Sequence, residues 1–384
     1  MRKQNQMIKE YVEEYVEEHK QEAVSLLEEL GKIPAPSYHE EKRAEFCKEW
    51  FIKQGGNEVW IDEAKNAICA IDCEKHEEIV CFMAHTDIVF DDQDELPMRR
   101  ENNILYAPGI GDDTANLVNL MMSAKFILQN KPQLNKGILI VANSCEEGLG
   151  NLEGCKTIFK NFGDRIKEFY SFDGYMSQCT SIPVGSYRYK ISVQEDGGHS
   201  YLDFGNENAI YTMTSLIQNL YEIEVPTEEK TTFNVGHIQG GSTVNSIAEE
   251  ATILYEYRSS SQKCLSIMEE KFNKVIANFE KSDKRITVDT LGIRPGKGEF
   301  DEEKLKYWTE KNIDIIKMYY DGPIDQRPFS TDANIPLSQG VLANTIGTIV
   351  GSGAHTRDEW VNLNSVPKGM SIALALILQY VAKE

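Results

Sequence analysis

The chain has 384 residues, of which 41% are hydrophobic and 26% are charged, and its formal net charge is −21. This length suits two domains, and the composition is typical of globular proteins, so long disordered segments are not expected. A surface this acidic repels polyanions, which argues against nucleic acid or an anionic membrane as a partner.

The N-terminal segment and the cysteines indicate a cytoplasmic protein. The first twenty residues carry charges throughout and lack the apolar stretch of a secretory signal. The longest apolar run, residues 372–378, is too short to cross a bilayer. The eight cysteines show no C-x-x-C spacing, and we interpret them as reduced thiols that pack as small apolar residues.

The first half of the chain alternates between helical and strand patterns. An amphipathic pattern with apolar pairs every four residues predicts an N-terminal helix, and a second helix is expected before Gly55-Gly56. Short apolar runs then predict buried strands, with another helix between the first two. This alternation predicts an α/β layer with a mostly parallel sheet. In chain order the predicted elements are helix 40–54, strand 78–84, helix 114–129, strand 137–143 and strand 166–172.

From residue 186 the pattern changes to strand, helix, strand, strand, helix, strand, which is typical of a small α+β, ferredoxin-like domain. The α/β pattern then returns. We therefore predict a catalytic α/β domain formed by residues 1–186 and 295–384, with a mixed, mostly parallel sheet flanked by helices, and an inserted domain at 187–294. The later elements are strands 187–193, 232–238, 250–258 and 285–290 with helices 209–221 and 263–282, then helix 302–318, strand 344–349 and a helix from 368.

Histidines and acidic residues follow several predicted strands of the α/β part. Ligand sites in open α/β sheets gather at the carboxyl ends of strands, so these segments are expected to converge on one crevice. Imidazole nitrogens together with carboxylate oxygens suit zinc, manganese or cobalt better than calcium or magnesium. Each segment alone is a weak indication, whereas their joint occurrence in one domain is a strong one. The segments are His85-Thr86-Asp87, Gly109-Ile110-Gly111-Asp112-Asp113, Glu146-Glu147-Gly148, Asp173-Gly174 and Gly351-Ser352-Gly353-Ala354-His355.

These segments and several others, in this order, resemble the M20 clan of co-catalytic metallopeptidases, which includes peptidase T, the carnosinases, aminoacylases and succinyl-diaminopimelate desuccinylase. The resemblance extends from about residue 27 to the C-terminus and implies the zinc-peptidase fold, in which the inserted domain is a lid and dimerisation domain. The matching segments are MAHTDIV, YAPGIGDDTANL, NSCEEGLG, YSFDG, EDGGHSYLDFGNENAI, GGSTVNSIAEEATILYEYRS, STDANIPLSQG and GAHTRDEWV.

The resemblance implies two divalent metal ions, most often zinc, with manganese or cobalt as alternatives, that share Asp112. One ion would be bound by His85, Asp112 and Asp173, and the other by Asp112, Glu147 and His355. The peptide bond after Asp112 would be cis, and Asp87 would accept the second ring N–H of His85.

Glu146 is the candidate general base. Adjacent residues in an extended segment point to opposite sides, so Glu147 can bind metal while Glu146 faces the water between the two ions. Glu146 would take the proton of that water and deliver it to the leaving amine.

The inserted domain carries three further candidates by resemblance. His199 would stabilise the oxyanion in the site of the partner subunit of a homodimer, and Asn245 and Arg258 would orient the substrate. A surface ion pair remains an alternative role for Arg258. For Asp332, in the matched segment STDANIPLSQG, loop ordering and substrate contact are equally compatible with the sequence.

The predicted substrate is a small peptide with a free N-terminus, because aspartate at position 173 is the version found in the aminopeptidase and dipeptidase branches, of which peptidase T is the nearest in motif. The turn GIGDDTA lacks the lysine-glycine pair of many members. The alternatives are an N-acyl-amino-acid amidohydrolase or carboxypeptidase of the same fold and a non-catalytic peptide-binding relative. No G-x-S-x-G, HExxH or G-x-G-x-x-G motif occurs, which argues against a serine hydrolase, a single-zinc peptidase and a dinucleotide-binding protein.

Overall fold

The structure is a computed structural model that describes residues 2–282 and 284–382. Within these residues the helices are, in chain order, α1 (Arg2–Leu30), α2 (Glu41–Lys53), α3 (Ala115–Asn130), α4 (Glu153–Phe162), α5 (Ala209–Tyr221), α6 (Gln262–Glu280), α7 (Glu302–Ile316), α8 (Asn334–Ser338) and α9 (Val366–Ile377). The strands are β1 (Glu58–Ile61), β2 (Ala67–Ile71), β3 (Ile79–His85), β4 (Arg99–Glu101), β5 (Ile104–Tyr106), β6 (Gly137–Asn143), β7 (Ile166–Phe172), β8 (Cys179–Thr180), β9 (Gly185–Gln194), β10 (Gly198–His199), β11 (Thr231–Gly240), β12 (Ser246–Ile247), β13 (Glu250–Ser259), β14 (Arg285–Arg294), β15 (Leu342–Ile346), β16 (Gly351–Ser352) and β17 (Trp360–Asn362).

The chain forms two compact units. The first consists of residues 1–182 and 299–384, and the second of residues 183–298. The second unit thus begins at residue 183, where the sequence predicted 187, and ends at residue 298, where the sequence predicted 294.

The first unit is built on a seven-stranded sheet in the order β1-β2-β6-β3-β7-β15-β8. The strands β6, β3, β7 and β15 are parallel, their outer neighbours β2 and β8 run antiparallel to them, and the edge strand β1 pairs antiparallel with β2. Every residue of β3 and β6 is buried, as expected for strands that helices cover on both faces. The predicted fold class, a mixed α/β sheet with a parallel centre and flanking helices, is confirmed.

Helices α1, α3 and α9 pack together on this sheet. The amphipathic pattern at the N-terminus extends into one long helix, α1, whose Val12, Leu27 and Leu30 are fully buried. In the core, the rings of Phe82 on β3 and Tyr170 on β7 stack with centroids 4.6 Å apart.

The sequence analysis missed β1, β2 and a small four-stranded sheet in the order β16-β17-β5-β4. β1 and the strands of the small sheet are short and partly exposed, so they lack the continuous apolar runs that predicted the central strands. β2 is a buried apolar run of five residues that was overlooked. The strand predicted at 344–349 is β15, which ends at Ile346 and is followed by Gly347, whose Cα lies against the backbone of Tyr175.

The second unit has a four-stranded antiparallel sheet in the order β11-β13-β9-β14, with α5 and α6 packed on one face. Along β9 the residues alternate, and Tyr187, Tyr189, Ile191 and Val193 point into the core with the helices. The order β9, α5, β11, β13, α6, β14 is the split pattern expected for a ferredoxin-like domain.

Across the described residues, none of the helices has the combination of length and apolar character that crossing a bilayer requires. The eight cysteines are all buried as free thiols.

Candidate metal centre

Three parallel strands bring polar residues to one edge of the central sheet. β3 ends at His85, β6 leads into the loop with Glu146 and Glu147, and β7 is followed by Asp173. Because β6, β3 and β7 are parallel neighbours, their carboxyl ends lie side by side. The turn before α3 adds Asp112, and the loop between β16 and β17 adds His355 to the same region.

Asp112 lies between the two histidines. One of its carboxylate oxygens is 3.2 Å from Nε2 of His85, and the other is 3.2 Å from Nε2 of His355. The same nitrogen of His355 is 3.1 Å from Oε1 of Glu147.

The possible ligand atoms of His85, Asp112 and Asp173 lie within 4.8 Å of one another, and so do those of Asp112, Glu147 and His355. The structure therefore brings the five predicted ligands together in two groups that share Asp112.

These side chains fit divalent cations. Burial, with the charges of Asp113 and Asp112, raises the pKa of Asp173 well above its usual range. Burial and Asp112 raise the pKa of Glu147 to about 7. A cation bound here would offset the crowding of these carboxylates, because its charge favours their deprotonated forms. Two imidazoles with three carboxylates form a donor set for zinc, manganese or cobalt.

Asp87 has a broader role than the sequence predicted. Its two carboxylate oxygens accept the backbone N–H groups of Glu146 and Glu147, each at 2.9 Å, and one of them also accepts the Ser37 hydroxyl at 2.6 Å. Nδ1 of His85 is 3.1 Å from the main-chain oxygen of Asp87 and 3.4 Å from its carboxylate. Asp87 therefore fixes the ring of His85 mainly through its main chain, while its carboxylate holds the backbone of the Glu146–Glu147 loop.

Glu146 lies beside the cluster and is nearly buried. One of its carboxylate oxygens lies within 4.8 Å of possible ligand atoms of His85 and Glu147. Glu146 is thus close enough to act on a water molecule held next to these ligands.

Glu359 fixes the turn that carries Asp112, and the sequence analysis did not find it. The carboxylate is fully buried and accepts three backbone N–H groups, from Gly109 at 2.8 Å, Gly111 at 2.8 Å and Asp112 at 2.7 Å. Burial, followed by the charge of Asp112, raises the pKa of Glu359 to about 7.

A second network that was not predicted surrounds Asp113. The peptide bond between Asp112 and Asp113 is cis, as the resemblance implied. The buried carboxylate of Asp113 accepts the backbone N–H of His85 at 2.9 Å and the side-chain amide of Asn116 at 2.7 Å. Asn116 also donates to the main-chain oxygen of Gly174 at 3.0 Å and accepts the N–H of Thr348 at 2.8 Å. This network ties the ends of β3 and β7 to the turn before α3.

Asp332 is almost fully buried and accepts the side-chain amide of Asn143, at the end of β6, at 2.6 Å. Burial, followed by the charge of Glu146, raises the pKa of Asp332 to about 8. Its contact with β6 favours the loop-ordering role over substrate contact.

His199 lies on β10, which pairs with β12, and the main-chain oxygen of Asn245, the residue before β12, accepts the N–H of Ser200 at 3.0 Å. Nδ1 of His199 accepts the backbone N–H groups of Tyr201 at 3.2 Å and Leu202 at 3.4 Å, so the neutral ring carries its hydrogen on Nε2. Arg258, on β13, donates two parallel hydrogen bonds of 2.9 Å to the carboxylate of Glu256. The ion pair weighed as an alternative for Arg258 is therefore present.

A parallel α/β sheet with two histidines and several carboxylates at one edge defines the class of metal-dependent hydrolases. The chain belongs to peptidase family M20/M25/M40, whose family model matches residues 81–379. The predicted identification as an M20-type peptide hydrolase is confirmed.

Three similar proteins illustrate this membership. The chain is 22% identical over 373 residues to the uncharacterized protein YqjE of Bacillus subtilis, with 91% of this chain and 95% of that protein aligned. A tripeptidase from Staphylococcus aureus has a similar structure, with a TM-score of 0.76, 19% identity and coverage of 95% of this chain and 99% of that chain. The aminopeptidase PepT of Bacillus cereus has a TM-score of 0.68, 18% identity and the coverage values 95% and 99%. At these identities the two structures establish the fold.

Proposed function

We propose that the protein is an aminopeptidase that hydrolyses di- or tripeptides with two divalent metal ions and with Glu146 as the general base. The observation that carries this proposal is the placement of Asp112, whose two carboxylate oxygens face two different histidines. A carboxylate whose two oxygens face different partners can bind two cations at once, and a site with two metal ions is suited to amide hydrolysis.

The proposed ligands are His85, Asp112 and Asp173 for one ion and Asp112, Glu147 and His355 for the other. Zinc is the first expectation, with manganese or cobalt as alternatives. The chemistry that the ions supply is polarisation of the substrate carbonyl and activation of a water molecule.

The side chain of Glu146 moves the proton. It accepts the proton of the attacking water as the oxygen bonds to the carbonyl carbon, and it donates this proton to the amine nitrogen as the C–N bond breaks. The carboxylate of Asp87 holds the backbone N–H groups of Glu146 and Glu147. Base and ligand are therefore fixed relative to each other.

Substrate recognition is proposed for residues of the second unit. His199 would donate a hydrogen bond from Nε2 to the developing oxyanion in the site of the partner subunit. Asn245 and Arg258 would orient the peptide, and Arg258 would exchange Glu256 for a carboxylate of the substrate. The aminopeptidase and tripeptidase activities named for the two similar structures agree with the preference that Asp173 predicts.

We also propose a homodimer formed through the second unit. β11 is an edge strand of its sheet. Next to His199, the side chains of Tyr201, Leu202 and Phe204 are 84%, 76% and 90% exposed. Exposed apolar groups of this size typically mark a surface that another molecule covers.

The free buried thiols agree with a cytoplasmic location.

The test combines a substrate survey with a variant of the base. Metal-loaded protein is incubated with a peptide library and with N-acetyl amino acids, and products are identified by mass spectrometry with and without chelator. Release of N-terminal residues supports the proposal. Release of acyl groups or of C-terminal residues would point to the alternative activities, and no turnover under any metal loading would point to a peptide-binding relative.

Glu146→Gln is expected to keep its bound metal and its unfolding temperature but to lose about 10³-fold in kcat, in the range expected for a general base. Glu153→Gln changes an exposed carboxylate a few residues away and is the matched control. A Glu146→Gln variant with wild-type kcat would remove Glu146 from the mechanism.

A further inference from the structure

The loop that carries Glu146 and Glu147 is held by two carboxylates from other parts of the chain. Asp87 accepts the N–H groups of Glu146 and Glu147. Glu40 accepts the N–H of Cys145, the preceding residue, at 3.0 Å from its Oε1. Three consecutive backbone N–H groups are therefore bound by two buried side chains.

The side chain of Glu40 does not cap α2, the helix that follows it. It occupies the N-cap position of α2, yet its side chain makes no hydrogen bond to the first turn of that helix. N-cap carboxylates usually accept those N–H groups. Instead Oε1 of Glu40 accepts the N–H of Tyr38 at 2.9 Å and contacts Sγ of Cys145 at 3.3 Å. A carboxylate with 0% exposure is unfavourable without such partners, so its place is set by the loop.

The backbone at Cys145 needs this support. Its φ of 56° lies in the left-handed region, which is unfavourable for a residue with a side chain. The conformation of Cys145 sets the direction in which the next residue, Glu146, leaves the backbone. The main-chain oxygen of Cys145 accepts the N–H of Leu152 at 2.9 Å, and Glu40 accepts the N–H of Cys145, so both main-chain polar groups of this residue are hydrogen-bonded.

The residues just before Glu40 contact the same region. The hydroxyl of Ser37 donates to Asp87 at 2.6 Å, and the hydroxyl of Tyr38 donates to the main-chain oxygen of Leu149 at 3.1 Å. We call residues 37–40 the bracing segment. Glu40 contacts the loop before Glu146, and Tyr38 contacts it after Glu147. Ser37 contacts Asp87, whose carboxylate binds the loop between these two points.

We propose that Glu40 is a positioning residue that holds the general base Glu146 in its reactive geometry by accepting the N–H of Cys145. The proposal rests on the proposed function of Glu146. Because Glu40 is fully buried, it has no access to substrate, and its loss acts on kcat and leaves KM unchanged. A displaced base lowers the rate by up to about 10²-fold, since small errors in the position of a reacting group are costly.

Three variants separate the hydrogen bond from the charge. Glu40→Gln keeps the length and the acceptor oxygen but removes the charge. Glu40→Asp keeps the charge but draws the oxygens back by one methylene, and Glu40→Ala removes both. The matched control is Glu41→Ala, because the neighbouring Glu41 is exposed and its carboxylate pairs with Lys65 at 2.6 Å.

The measurements are kcat and KM on the best peptide of the wild type, metal content, and amide hydrogen exchange of the segment 143–150. Glu40→Asp and Glu40→Ala are expected to lose about 10- to 100-fold in kcat, with KM within about twofold and full metal content. Exchange in 143–150 is expected to become faster in both. Glu40→Gln and Glu41→Ala are expected to retain wild-type values.

Three results would overturn the proposal. One is a kcat of Glu40→Asp within twofold of the wild type. Another is a Glu40→Gln variant as slow as Glu40→Ala, because the retained acceptor oxygen would then have no effect and the negative charge would be required. The third is a loss of metal in proportion to the loss of activity, which would indicate a structural role alone. If Glu146→Gln is fully active, the proposed function fails, and the exchange measurement still tests whether Glu40 holds the loop.

Discussion

Replacing Glu359 by glutamine tests whether the turn around Asp112 is held by a single buried carboxylate. In the wild type, one oxygen accepts the N–H groups of Gly111 and Asp112, and the other accepts the N–H of Gly109 at 2.8 Å. In Glu359→Gln the amide oxygen can keep the first two donors. The NH₂ group must then face the N–H of Gly109, so that two donors meet in a buried site.

The magnitude follows from this one lost acceptor. A buried donor without a partner lowers the free energy of unfolding by about 1–3 kcal/mol, and the repulsion between the two donors places the expected loss at about 2–3 kcal/mol. The opposite orientation of the amide would leave two donors without an acceptor, so it offers no relief. Because the turn presents Asp112, metal affinity is expected to fall by about 10- to 100-fold, as for other residues that orient ligands.

The assay is urea unfolding of the metal-loaded protein at pH 8, where the carboxyl of Glu359, with a pKa of about 7, is ionised. Metal affinity is measured by competition with a chromophoric chelator. Asp358→Asn makes the same chemical change at the exposed neighbouring position and should behave as the wild type. A Glu359→Gln variant whose stability lies within about 0.5 kcal/mol of the wild type would refute the reasoning.

Three further predictions concern the same centre. Removal of metal with a chelator is expected to lower the unfolding temperature by about 5 °C or more, because a ligand that binds only the folded protein stabilises it, and zinc should restore it. An unchanged temperature in differential scanning fluorimetry would count against a metal site. Asn116→Ala removes the hydrogen-bond partner of Asp113, Gly174 and Thr348 and is expected to lower the free energy of unfolding by about 3–5 kcal/mol in urea titrations. The control Asn130→Ala, at the exposed end of α3, should have little effect. Equal stabilities of the two variants would contradict the network. Asp87→Asn places an NH₂ group against the N–H of Glu146 or Glu147 and is expected to lower kcat by about 10- to 100-fold. Steady-state kinetics that match the wild type would show that the loop keeps its conformation without this carboxylate.

The central strands could be predicted because their physical environment imposes a simple pattern. β3 and β6 lie inside the sheet, so their residues form almost continuous apolar runs. The small sheet of β4, β5, β16 and β17 joins segments from opposite ends of the chain. No local pattern predicts such a pairing.

The proposed ligands could likewise be found from local sequence patterns, whereas the residues that support them could not. His85 and Asp173 stand at strand ends, where a polar residue after an apolar run is visible in the sequence. Glu359 binds backbone groups that lie 247 to 250 residues away, and nothing in its own surroundings indicates this. Asp87 was identified through the family resemblance, which could not show that its carboxylate binds the Glu146–Glu147 loop.

The position of β15 in the central sheet has a consequence for biosynthesis. β15 lies between β7 and β8, although the ribosome makes it only after the whole of the second unit. While the nascent chain emerges, β7 has an unpaired edge. Four of the five proposed ligands have then been made, but His355 and Glu359 have not. The group of Asp112, Glu147 and His355 therefore cannot form before the C-terminal segment has been made, whereas His85, Asp112 and Asp173 all precede the second unit.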